Sequence, residues 1–434
     1  MTQIRSAPKQ TAAPVRLSKR ASWGADQPVG YLMRQAVEHP EVISLAAGLV
    51  DQQTLPVEEV RQAVEAVLAD PEEGRRALQY GTTAGRLRLR QQVLQSWAAR
   101  EGIEPASRGL SPEHVILTTG SQQFLELVSE VLLDPGDIVL VPAPTYFVYL
   151  GTLANLGVRA VGVKMDDEGI CLDSLDSRLE ELEAAGELGR VKLIYVTSYF
   201  QNPTGISLAE DRRPQLVEIA RRWSRKQRIF VLEDAAYRDL CYSGPDLHSV
   251  RYFDEAGDTV IFTQTFSKSC SPGLRVGYGL LPASLLDPVL SLKGNHDFGS
   301  ASFNQCVISA LIARGLYEKH VARLIESYRR KLGVMLAAAD EFFSGFAGVE
   351  WVRPKGGLYV WMTLPEGIDT GRHGELFRRA LEEGVMYVPG EYCYPPQNGV
   401  APRNHMRLSF GVQSEEGLRE GMRRLAIAVG CVVR

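Results

Sequence analysis

Apolar residues return at helical spacing over residues 57–69, 84–100, 121–133, 208–226, 316–345, 371–383 and 414–429, and each stretch predicts a helix with one face turned inward. Between several of them lie short apolar, β-rich runs at 115–118, 138–141, 193–196, 229–232 and 260–263. Runs of this kind, without polar alternation, belong to strands covered on both faces. Such strands alternating with helices predict an α/β fold with a mostly parallel sheet. Ligands of these sheets bind beyond the carboxyl ends of the strands. The last third reads differently. After the long helix come strand-like stretches at 349–352, 356–362, 385–388 and 406–410, with one helix among them, which predicts a smaller α+β unit.

Composition changes this picture little. The 434 residues, 45% apolar and 23% charged, can bury a large core. A formal charge of -4 gives no reason to expect nucleic acid or an anionic membrane as a partner. Cysteines 171, 241, 270, 306, 393 and 431 are scattered without a Cys-x-x-Cys pair, which argues against a disulfide framework or a zinc site and fits a reducing, cytoplasmic setting. The seven histidines are equally dispersed, so no metal is expected. No apolar run approaches the roughly 20 residues of a membrane helix. Arg5, Lys9, Arg16, Lys19 and Arg20 precede the first acid, Asp26. That bias faintly resembles a transit peptide but reads better as a basic, flexible arm over 1–29.

The candidate chemistry clusters after the apolar runs. Lys268 stands between Thr265, Ser267 and Ser269, with Arg275 seven positions on and glycines at 273 and 277. Hydroxyls and a guanidinium can anchor a phosphate, and a lysine beside an anchored aldehyde can form a Schiff base. Gly120-Ser121-Gln122 follows one run and opens a helix, where free amides can hold an anion. Tyr146 in Ala143-Pro-Thr-Tyr offers a flat aromatic face, and Asn202 begins an Asn-Pro-Thr-Gly turn. Asp234 closes the 229–232 run, where a buried carboxylate is costly unless paired.

Together, Asn202-Pro-Thr-Gly205, Glu233-Asp-x-x-Tyr237, Ser267-Lys268 with Gly273-Leu-Arg275, and Arg407-Leu-x-Phe410 give the chain from about Gly30 onward its likeness. It resembles the fold-type I, pyridoxal-phosphate-dependent class I/II aminotransferases, in particular the branch of 2-aminoadipate and kynurenine aminotransferases. The resemblance implies a large domain over 76–320, built on a mostly parallel, seven-stranded-type sheet covered by helices. It implies a small C-terminal domain over 321–434, to which residues 30–75 contribute.

It further implies a set of roles. Lys268 would form the aldimine and then carry the proton from substrate. Asp234 would hold the pyridine nitrogen, Tyr146 would stack on the ring, and Asn202 and Tyr237 would donate to its phenolic oxygen. Ser121 and Gln122, through backbone N–H groups, would bind the phosphate with Thr265, Ser267 and Arg275. Either Thr265 or Ser267 could be the principal hydroxyl. Gly48, Asn202 and Arg407 would take the substrate, Arg407 gripping its α-carboxylate. Tyr80 would reach the phosphate of a neighbouring subunit, implying a homodimer.

The implied reaction is ping-pong transfer of an α-amino group to a 2-oxo acid. A β-lyase, a cyclising synthase or an amino-acid oxidase on the same fold is the alternative. A non-catalytic effector-binding domain is a lesser one, since only about thirty residues precede the match. Three segments depart from the family pattern: 44–56, which keeps Gly48 but lacks the usual proline and phenylalanine, 295–305, and the turn around Tyr392. The amino donor is left open, with Lys293 a candidate contact for a second carboxylate.

Overall fold

Period-two alternation builds the central sheet. Along Ile138–Ala143, Val139 and Val141 enter a core with Phe124, Leu125 and Tyr149, while Ile138 and Leu140 join Leu175, Leu179 and Leu216 in another. Val191–Thr197 repeats the division, Leu193 and Tyr195 one way, Ile194 and Val196 the other. Both faces are apolar because helices cover both, which is why these strands read as unbroken apolar runs.

The computed structural model describes residues 15–23, 30, 41–396 and 401–433. Most of the basic arm expected over 1–29 lies outside the described residues. In chain order the strands of the first two thirds are β1 (Ile43–Ser44), β2 (Val115–Thr118), β3 (Ile138–Ala143), β4 (Arg159–Asp166), β5 (Gly169–Ile170), β6 (Val191–Thr197), β7 (Phe230–Asp234), β8 (Val260–Thr265) and β9 (Gly277–Leu280). The large sheet runs β2-β9-β8-β7-β6-β3-β4-β5. Its centre is parallel, and β9 lies antiparallel to both neighbours. It therefore has eight strands rather than seven, the extra one being the two-residue β5 folded back on the end of β4.

β4 and β9 were not legible as apolar runs. β4 alternates buried and exposed positions near the sheet edge, and β9 is Gly-Tyr-Gly-Leu. Helices Val57–Ala69, Leu316–Phe343 and Glu415–Gly430 sit where their periodicity puts them. The stretch 371–383 shortens to Glu375–Glu382 because Asp369 Oδ1 accepts from Gly371 N (2.7 Å) and turns the chain first. Helix Ala283–Asp297, unannounced by the pattern, carries Pro288 inside it.

The remaining strands, β10 (Glu350–Trp351), β11 (Tyr359–Thr363), β12 (Val385–Met386), β13 (Val388–Pro389) and β14 (His405–Ser409), build two smaller sheets. One runs β10-β11-β14-β13, and the other is the parallel pair β1-β12. Leu45 N donates to Met386 O (2.8 Å), and Leu45 O accepts from Ser409 N (2.7 Å). The chain after β1 is thereby threaded along the C-terminal unit, past the carboxyl edge of the large sheet. Among the described residues no helix is long and apolar enough to cross a membrane.

β9 sets how close the helix Ser121–Leu132 can come. A Cβ on Gly279 would enter the Phe124 ring, and one on Gly277 would lie 2.6 Å from Ser121 N. Gly279→Ala should therefore displace Phe124 from a packed core and cost about 1–3 kcal/mol of stability. Urea denaturation checks this; a midpoint equal to that of the wild type would show that the helix shifts freely.

Candidate active site

Five strand ends converge on one cavity. β2, β3, β6, β7 and β8 deliver Ser121 and Gln122, Tyr146, Asn202, Asp234 and Lys268 respectively to its lining, where Tyr237, Thr265, Ser267 and Arg275 join them. Beyond β8 the backbone is fixed locally. Ser267 N donates to Thr265 Oγ1 (3.2 Å), and the two hydroxyls lie 3.0 Å apart. Arg275 Nη1 donates to Ser267 Oγ (3.2 Å) and Nη2 to Thr119 O (3.1 Å). Arg275 itself takes the left-handed conformation, φ 50°, uncommon for a side-chain-bearing residue. Gly120, at φ 75°, gives it room, since a Cβ there would lie 2.6 Å from Nη2. No side chain caps the helix that begins at Ser121. Free amides, two hydroxyls and a guanidinium thus form a cradle for a phosphate-like anion. Of the two hydroxyls, Ser267 is the one linked to Arg275.

Asp234, the last residue of β7, is 4% exposed. Its Oδ2 accepts from Tyr195 Oη (3.0 Å) and its Oδ1 from Ala236 N (3.0 Å). Burial outweighs these donors and pushes the carboxyl up to about 6. Glu233 beside it is no surface acid. It is fully buried and accepts from Ser198 Oγ, Val250 N and Arg251 N.

Behind Asn202, Arg407, 3% exposed, donates from Nη1 to Asn202 Oδ1 (2.9 Å) and from Nη2 to Ala46 O (2.7 Å). The Tyr359 ring lies 4.2 Å from its guanidinium carbon. Asn202 thus spends its oxygen on Arg407 and keeps its amide as a donor. Tyr237 Oη donates to Tyr359 Oη (3.2 Å). Lys268 Nζ donates to Gly48 O (2.7 Å). Burial, with the Arg407 and Arg275 cations, holds the Lys268 amine below the usual lysine range, against an opposing pull from Tyr359. The segment Ala46–Gly48 is pinned downstream, where Lys331 Nζ meets Asp51 Oδ2 (2.7 Å) and Tyr328 Oη accepts from Asp51 N (3.1 Å).

Two expected residues stand apart. Tyr80 is 86% exposed, its ring 6.3 Å from that of Phe298, and does not line this cavity. Lys293 is not free for a substrate carboxylate, because it is buried against Asp297 Oδ1 (2.7 Å) and Ser300 Oγ (3.0 Å). Two others went unsignalled. Tyr195 falls two residues before the β6 end, on the strand paired with Asp234. Tyr359 opens β11 inside a stretch read only as a strand.

The donor set suits pyridoxal phosphate. The anion cradle would receive its phosphate, and Asp234, lacking any cation among its hydrogen-bond partners, would receive its pyridinium nitrogen. Two buried side-chain atoms of these residues, Gln122 Oε1 and Arg407 Nε, have no hydrogen-bond partner. Residues 40–425 match the family described as Aminotransferase class I and II. Aromatic-amino-acid aminotransferase 1 of Thermococcus litoralis is 37% identical over 390 residues, 90% of this chain and 88% of that protein. The crystal structure of Pyrococcus horikoshii kynurenine aminotransferase, in complex with PMP and with KYN and KYA as substrates and products, superposes with a TM-score of 0.87. It is 34% identical and covers 96% of this chain and 98% of its own. An alpha-aminoadipate aminotransferase from Thermus thermophilus, complexed with N-(5'-phosphopyridoxyl)-L-leucine, gives a TM-score of 0.82 at 32% identity, covering 96% of this chain and 97% of its own.

The burial of Asp234 has a sign that can be measured without cofactor. A carboxyl raised from 3.8 to about 6 costs nothing below the lower value, where both states are protonated. Between the two values the unfolded chain ionises first, and above about 6 the native state carries the full penalty, on the order of 3 kcal/mol. Cofactor-free Asp234→Asn should therefore melt above the wild type at pH 8, the difference closing as the pH falls to about 4. Equal melting temperatures at pH 8 would count against an uncompensated carboxylate.

Proposed function

The chain belongs to the class I and II aminotransferase family, and on that premise we propose that it binds pyridoxal phosphate in this cavity and moves an α-amino group to a 2-oxo acid. The observation that carries the reading is the meeting of Lys268, Asp234 and the Ser121–Thr265–Ser267–Arg275 cradle in one cavity, with Arg407 bonded to Asn202 of its lining. Ser121 and Gln122 amides, Thr265, Ser267 and Arg275 hold the phosphate; Tyr146 covers the ring; Asn202 and Tyr237 donate to its phenolic oxygen; Asp234 faces its nitrogen. When bound, the cofactor supplies an electron sink for the substrate Cα.

The chain's own groups do the rest. Arg407, already buried and oriented by Asn202, exchanges Ala46 O for the substrate α-carboxylate, which its planar fork fits. Lys268, less basic than a free lysine, gives up Gly48 O and takes the Cα proton, which it would return beyond the amino nitrogen, at the cofactor's C4′ carbon. Asp234 stays ionised once a cation neutralises it. The Lys293–Asp297 pair and the name of the T. litoralis relative support a donor among aromatic and other uncharged α-amino acids. The assignment includes a large unit over 76–320 and a small unit formed by 30–75 with 321–434. It also includes a cytoplasmic setting, supported by six cysteines that are all free, and a homodimer in which exposed Tyr80 completes the neighbour's phosphate site.

Donor amino acid alone should release one equivalent of its 2-oxo acid per site, and a second 2-oxo acid should then recover the amine as a new amino acid. Ammonia release or oxygen consumption instead, across a broad donor panel, would move the chain to the lyase or oxidase alternatives. Borohydride reduction of the loaded protein should attach the pyridoxyl group to Lys268 and to no other lysine.

The dimer is tested by complementation. Lys268→Ala and Tyr80→Ala chains, each impaired alone, should regain activity when mixed, because one site per heterodimer then keeps both native residues. A fully active monomer would contradict the shared site.

A further inference from the structure

We propose that the Tyr359 hydroxyl is a positioning group for the amino-transfer site, orienting the Tyr237 hydroxyl and setting the polarity felt by the Lys268 amine. This deepens the proposed function and rests on it. Tyr359 opens β11, whose antiparallel register with β14 sets it opposite Ser409, two positions from the Trp361–Arg407 pair. It is 1% exposed, so its hydroxyl must find partners inside the protein. It accepts from Tyr237 Oη at 3.2 Å, the rings meeting edge to face with centroids 5.8 Å apart. Its ring lies under Arg407, and a Cβ on Gly48 would lie 3.0 Å from its oxygen. Gly48 O in turn holds Lys268. One phenol therefore touches the tyrosine expected at the cofactor's phenolic oxygen, the arginine expected at the carboxylate, and the loop that holds the lysine.

Two phenols in contact are pushed in opposite directions. Burial, with Tyr359 beside it, drives Tyr237 far above the usual phenol range, and Tyr146 adds to this while Arg407 opposes it. Burial also acts against ionising Tyr359, but Arg407, Lys268 and the Tyr237 hydrogen bond outweigh it and Cys393, and Tyr359 ends below that range. In the cofactor-free chain the donor is accordingly Tyr237 and the acceptor Tyr359, and since Tyr237 has one proton, the phenolic oxygen of a bound cofactor would share it with Tyr359. Negative charge drawn onto the Tyr359 oxygen raises the proton affinity of Lys268, against Arg407 and Arg275, which lower it. Ring and hydroxyl have separable duties: the ring supports Arg407, and the hydroxyl acts on Tyr237 and Lys268.

Tyr359→Phe keeps the ring and deletes the hydroxyl. With pyridoxal phosphate bound and no substrate present, the visible-absorbance titration of the Lys268–cofactor chromophore should move to lower pH by about half a unit or more. In turnover, kcat should fall about fivefold or more, with the donor KM within about twofold. Tyr359→Leu, which also removes the ring from Arg407, should raise KM in addition. In the Tyr237→Phe background, Tyr359→Phe should cost less than it does in the wild type, since the share of its effect that runs through the Tyr237 hydroxyl is already gone. An unmoved titration in Tyr359→Phe, or losses that multiply in the double variant, would overturn the proposal. A wild-type protein that shows no titrating chromophore with pyridoxal phosphate would instead sink the Lys268 assignment, and this inference with it.

Discussion

A carboxylate held out of water at the end of a central strand is the constraint that the rest of the site answers. Asp234 has one phenol and one amide as donors and no cation, so ionising it in the folded chain is costly. Lys268 stands in the converse position, a partly buried amine whose charge is disfavoured by desolvation and by the Arg407 and Arg275 cations. Each is destabilised by itself, and an aromatic cation linked to the lysine would relieve both. Such a pair makes sense only with a ligand between them. The large sheet serves to place them there: parallel strands bring their carboxyl ends to one edge, so residues far apart in sequence converge.

The second wall comes from the smaller unit, and its chemistry depends on threading. β1 pairs with β12, and Leu45 bridges Met386 and Ser409. The next residues are thereby carried across the cavity. There the carbonyls of Ala46 and Gly48 take up Arg407 and Lys268. Both cations keep partners in the resting chain, and each partner is a neutral carbonyl that an incoming carboxylate or aldehyde can displace at little loss. The Lys331–Asp51 pair and Tyr328 fix where this segment ends, so the displacement is confined to a few residues.

Much of this was legible in the sequence because it is local. A buried parallel strand must be apolar on both faces, so β3, β6, β7 and β8 declared themselves, and the residues just beyond them were the candidates. Arg407, Asn202 and Tyr237 stood out as members of motifs with a chemical rationale. What was hidden depends on pairing. β9 has too little apolar content to read as a strand, and its glycines matter only because Phe124 and Ser121 come to lie against them. Tyr195 and Tyr359 are ordinary strand tyrosines until register sets one beside Asp234 and the other under Arg407. Lys293 failed for the same reason in reverse, since its spacing to Asp297 on one helix neutralises it.

This asymmetry also separates cofactor from substrate. Groups that would hold a phosphate, a ring nitrogen and a phenolic oxygen answer to one rigid molecule, so their types and spacings are narrowly set and readable. A donor side chain meets the loops instead. Residues 44–56 and 295–305 depart from the family pattern, and loops of this kind would meet a substrate largely through shape. Gly48 shows how such a loop acts. With 3.0 Å between its Cβ position and the Tyr359 hydroxyl, any side chain there would close on the phenol. The glycine leaves the Tyr359 hydroxyl uncovered on that side, and Tyr359 is held between Tyr237 and Arg407. This contact joins a loop and a strand from opposite ends of the chain, where spacing along the sequence carries no signal.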